Sequence, residues 1–128
     1  MKKVLAPYEI AHWVDDWHLA PALDTGDFVF FSGVTGSHPD LTVADDPETQ
    51  FRDTFRFLGD CLASAGLGFD DIVEITTYHV DLRKHLDVFV TVKDEIIKPP
   101  YPAWTAIGVT ELITEGTLVE IRAIARRG

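Results

Sequence analysis

Phe28-Val29-Phe30-Phe31 is an unbroken apolar, β-favouring run, with turn formers on both sides: Asp24-Thr25-Gly26-Asp27 before it and Ser32-Gly33 after it. A run this short and this apolar predicts a strand that hides both of its faces. Ile72 to Val80, rich in β-branched residues, makes the same demand. Only two amphipathic helices are legible in the rest of the chain, and two helices cover one face of a sheet. The other face then needs a further subunit, because a bare apolar sheet face of roughly several hundred Å2 is a large exposed patch for a monomer.

The first helix follows the usual rules for a helix start: Asp46 as N-cap, Pro47 at the first helical position and Glu48 in the positively polarised first turn. Phe51, Phe55, Leu58, Leu62 and Ala65 recur at spacings of three and four and draw one apolar stripe. Gly66 stands at the C-terminal cap, so the spacing predicts a helix over Pro47 to Ala65. A second is predicted from about Lys84 to Ile97, with Leu86, Phe89, Val90, Ile96 and Ile97 inward, stopped by Pro99, Pro100 and Pro102. Ala103 to Val109 and Leu118 to Ala125 are the last two predicted strands, joined around Thr114-Glu115-Gly116. Met1 to Leu23 shows no clear period and is read as a short strand and loop. The expected fold class is α/β (α+β), one 1–128 domain in the order ββαβαββ, with two helices on one face of a mixed sheet.

Twenty-one acidic against 11 basic residues give a formal net charge of -10, which repels phosphate backbones and anionic lipid heads. Nucleic acid and membrane are therefore not expected as partners. Lys2-Lys3 and Arg126-Arg127 are basic pairs near the two ends of the chain. Cys61 is the one cysteine, so no internal disulfide can form and a reducing, cytoplasmic setting is expected. The two N-terminal lysines are not followed by the apolar stretch of a signal peptide, and no 18-residue apolar run occurs.

Few residues are candidates for chemistry. Ser32 lacks the G-x-S-x-G nucleophile elbow. His79 and Asp81, two apart on a strand and near His85, could form a facial metal site, although a partly exposed strand end is the plainer account, and neither metal nor cofactor is expected. Glu120 stands out. Val119, Ile121, Ala123 and Ala125 define a core face, so Glu120 must point the other way, toward the face assigned to neighbouring subunits. There it either forms a salt bridge, with Arg122 or a symmetry mate, or acts as a proton-transfer group lining a cleft.

Gly26-Asp27-Phe28-Val29-Phe30-Phe31-Ser32-Gly33 resembles the strand of the RidA/YjgF/L-PSP family that ends in Ser-Gly. Gln50, Leu62-Ala63-Ser64-Ala65-Gly66 and Asp71-Ile72-Val73 are similar to its first helix and next strand, and Val119 to Ala125 to its closing strand. The stretches Val92 to Ile96 and Pro99 to Ala106 look most like the YjgH-like branch. The resemblance runs from Leu19 onward. It implies a homotrimer of chorismate-mutase-like subunits, a trimeric barrel with three clefts at subunit boundaries. Deaminating members hydrolyse reactive enamines and imines, clamping the substrate carboxylate with an arginine of a Pro-Ala-Arg motif and handling water with a glutamate.

This sequence departs from that pattern. Trp104 stands where the arginine is expected, and an indole cannot make the bidentate pair of a guanidinium. Leu19, Val34 and Phe57 take the places of a tyrosine, a glutamine and an asparagine, while Glu120, Ser32 and Thr105 remain. The resemblance thus implies Glu120 as the catalytic group and Trp104, Thr105, Ser32, Leu19 and Phe57 as substrate-binding residues. The expected ligand is a small organic metabolite, uncharged or aromatic, unless Trp104 and Phe57 simply fill the cleft. The alternative is a non-catalytic metabolite-sensing or protein-interaction homotrimer. Endoribonuclease activity, the meaning of the L-PSP label, is disfavoured by the charge and by the lack of paired histidines or a basic groove.

Overall fold

Asp46 starts the long helix as its sequence predicts. In the computed structural model, which describes residues 2–128, its carboxylate accepts hydrogen bonds from the Thr49 N–H at 2.9 Å and the Thr49 hydroxyl at 2.8 Å. This helix, α2, spans Pro47–Ser64 and seats Phe51, Phe55, Leu58 and Leu62 in the core. The chain leaves it through Gly66, whose φ of +73° suits glycine. The other long helix, α3, spans Leu82–Ile96.

The N-terminal segment is more ordered than a short strand and loop. It holds β1 (Lys3–Leu5), a 3-10 turn, the short helix α1 (Trp13–Trp17) and β2 (Ala22–Asp24). Met1 lies outside the described residues. Three-residue strands carry too few positions for a period of two to show, so this hairpin partner and α1 are additions to the expected ββαβαββ order. The remaining strands are β3 (Phe28–Val34), β4 (Ile72–His79), β5 (Ala103–Gly108) and β6 (Val119–Arg126).

Among the described residues the strands form one mixed sheet in the order β1-β2-β3-β6-β4-β5. Only the β4–β5 pair is parallel, as its connection through α3 requires. β6 sits between β3 and β4, and its alternation is strict: Val119, Ile121, Ala123 and Ala125 are buried, the residues between them are not. A register shift between Phe31 and Val34 marks a bulge at Ser32-Gly33.

Strand β3 is apolar on both faces, as read from the sequence, but the subunit buries only one. Val29 and Phe31 are 0% and 2% exposed, packed under the helices, whereas Phe28 and Phe30 are each 40% exposed. Register places Ile124 and Tyr78 on the same open face, with Ile107 at its edge. No helix of the described residues is long and apolar enough to cross a membrane.

Candidate functional site

Glu120 occupies the middle of β6, paired across the sheet with Tyr78 of β4, and points to the open face. Its carboxyl lies directly on the backbone of Gly33: a Cβ built on that glycine would come within 2.6 Å of both Cδ and Oε2. The bulge in β3 therefore makes room for the acid, and no larger residue at position 33 leaves it in place. Among the described residues Glu120 has no ion pair, with Arg122 or any other cation. Partial burial raises its pKa above the ordinary glutamate value.

The other residues singled out from the sequence fall in three places. Ser32 neighbours Gly33; its hydroxyl donates to the Ala20 carbonyl at 2.6 Å and its N–H to that of Pro21 at 3.1 Å. Those bonds hold the chain beside half-buried Leu19 against the Glu120 end of β3. Thr105 lies on the same open face at the sheet edge, opposite Thr76. Trp104, one residue earlier, faces the helix side. Within one subunit it and Glu120 are thus on opposite faces of the sheet. Phe57 is in neither group, packing edge-to-face on Trp13 at 5.8 Å and lining a separate cleft between α2 and the N-terminal segment.

Trp104 is locked into its own subunit. Its indole N–H donates to the Thr77 hydroxyl at 2.9 Å, and that hydroxyl lies 2.7 Å from Nε2 of His79. His79 is 1% exposed, edge-on to Phe89 at 4.7 Å, and burial pushes its pKa down to about 4. The strand-end metal pattern is not assembled. β4 stops at His79, and Asp81 adopts a left-handed conformation at the start of α3, so the two share no face. His79 is also not the partly exposed strand end of the plainer account. Among the described residues no group of three metal-ligating side chains occurs. Cys61 is buried, with its thiol pKa pushed up to about 12 by desolvation, which keeps it unreactive.

Two features escaped the sequence. The contact between Gly33 and Glu120 depends on a bulge, which pattern does not reveal. Lys93 is 9% exposed, with its ammonium 4.5 Å from the Trp104 ring centroid. Its signal was present, since Phe89, Lys93 and Ile97 recur every four residues, but a lysine is not usually counted into an apolar stripe.

The family model described as Endoribonuclease L-PSP matches residues 7–127. The RutC family protein YjgH of Escherichia coli (strain K12) is 45% identical over 106 residues, covering 82% of this chain and 79% of that protein. Among solved structures, protein YJGH superposes with a TM-score of 0.88 at 39% identity, over 98% of this chain and 95% of its own. Rv2704 of Mycobacterium tuberculosis, from the YjgF/YER057c/UK114 family, gives 0.84 at 26% identity over 99% and 100%. E. coli TdcF with bound serine gives 0.74 at 27% identity over 86% and 88%.

Proposed function

This chain belongs to the endoribonuclease L-PSP family, known also as RidA/YjgF, and from that premise we propose a homotrimer that binds a small organic molecule in clefts between subunits and hydrolyses an enamine or imine C–N bond. Its substrates are uncharged or aromatic, Glu120 handles the water, and the protein works in the cytoplasm. The observation that carries this is a partly desolvated carboxylate with no ion pair among the described residues, seated on a glycine, on an open face that also presents Phe28, Phe30, Tyr78 and Ile124. The opposite placement of Trp104 and Glu120 within one subunit suits a cleft that takes one residue from each of two neighbours. The serine in the TdcF structure supports a small-molecule site on this fold.

The chemistry asks little more of the protein. An enamine first takes a proton from solvent on carbon and becomes an iminium ion. A water held by the Glu120 carboxylate attacks the iminium carbon and passes one proton to that carboxylate, giving a neutral carbinolamine; the carboxyl then returns the proton to nitrogen, the C–N bond breaks with loss of ammonia, and the hydroxyl gives its proton back to solvent as the carbonyl forms. A pKa raised by burial suits a group that must accept and then donate. RNA cleavage finds no support in a net charge of -10.

Glu120→Gln keeps size and loses the base. Ammonia release from a panel of enamines and imines should fall by about 10²- to 10⁴-fold. If the wild type turns over none of them, or the variant is as fast, the second reading takes over: a metabolite-sensing or protein-interaction homotrimer. The Trp104 indole, 38% exposed but hydrogen-bonded to Thr77 of its own subunit, is the observation that favours it.

A further inference from the structure

Lys93 is a nearly buried cation in a chain with almost twice as many acidic as basic residues. Burying an ammonium is unfavourable unless its donors find partners. Of its three N–H groups, one reaches Asp94 Oδ1 at 3.1 Å, and Asp94 is itself 61% exposed and largely screened by solvent. The Trp104 ring stabilises the charge from one side without accepting a full hydrogen bond. Lys93 lines a cavity of about 310 Å3 together with Asp94, Trp104, Tyr101, Pro102, Ile75 and Ile97. That volume accommodates a single substituted aromatic ring.

We propose that this cavity is a subsite for an aromatic carboxylate, whose ring lies among Trp104, Tyr101 and Pro102 and whose anionic group accepts a hydrogen bond from Lys93. The proposal rests on Trp104 bordering the ligand cleft, as in the function proposed above, and takes the aromatic branch of that reading over the uncharged one, with an acid as the ligand. Trp104 has a double part: its N–H is already given to Thr77, so it offers the ligand a face and holds the lysine in position. Tyr101, 69% exposed, is free to settle over the ring. Asp94 is the competing anion, and the incoming carboxylate shares the ammonium with it.

The test uses unreactive probes, so that a failure of hydrolysis leaves the result standing. Phenylacetate and its neutral analogue benzyl alcohol, neither with a C–N bond to cleave, are titrated into the intact protein by calorimetry and tryptophan fluorescence. Wild type should bind phenylacetate roughly tenfold to a hundredfold more tightly than benzyl alcohol, the range of a charge-assisted hydrogen bond. Lys93→Met should remove that preference, leaving benzyl alcohol affinity within about twofold, and Lys93→Arg should keep most of it. Equal wild-type affinity for the two probes, or an undiminished preference in Lys93→Met, overturns the proposal. Should Lys93→Met fail to fold, the wild-type comparison and Lys93→Arg still decide it.

Discussion

At the scale of single residues, the Glu120 carboxyl of β6 rests on the Gly33 backbone of β3, the neighbouring strand. Strict alternation along β6 was enough to turn the acid away from the core, because a period of two leaves no other direction. The importance of Gly33 lies in a contact between strands that are neighbours only in the fold. Gly33→Ala would push a Cβ into the carboxyl and displace it, so turnover should fall as far as it does in Glu120→Gln. Adding Gly33→Ala to Glu120→Gln should then cost little further activity, since both changes act on the same group. Steady-state rates for the two single variants and the double variant measure this; independent, multiplying losses would show that Gly33 does not act through Glu120.

At the scale of elements, long periodic segments were readable and edges were not. α2 matched its predicted span to within one residue, because cap, proline, stripe and glycine all agree. α3 was placed, but its inward face was partly misassigned: Val92 and Lys93 are buried, while Leu86 and Val90 are only half-buried. The contacts that decide this are Phe89 on His79 and Lys93 on Trp104, each between α3 and a strand that it meets only in the fold. Trp104, Thr77 and His79 together tie β5 to β4 through one hydroxyl, and Phe89 of α3 packs edge-on against His79. This junction makes stability sensitive to acid. The unfolded histidine binds its proton near pH 6.5 and the folded one only near pH 4, so stability is lost as pH falls through that window. The loss is on the order of 3 kcal/mol at most. Chemical denaturation between pH 7 and 5 should show this slope in the wild type and a flatter one in His79→Asn; identical slopes would mean that His79 is not its source.

At the scale of the whole molecule, the two-sided strand Phe28 to Phe31 says more about assembly than any candidate catalytic residue does. A helix layer satisfies Val29 and Phe31, and Phe28, Phe30, Tyr78, Ile107 and Ile124 are left on the other side of the sheet, around Glu120. Burying these side chains between subunits would give roughly 25 cal/mol for each Å2 of apolar surface removed from water, ample to drive association. It would also enclose Glu120, strengthening every electrostatic interaction it makes with a bound molecule. Trp104 and Glu120, kept apart by the sheet in one subunit, can meet only across such a boundary. The proposed activity and the aromatic-acid subsite therefore stand on the same assembly. Sedimentation equilibrium at micromolar concentration tests it directly: a single species of three times the 14.3 kDa chain mass is expected, and a stable monomer would contradict it.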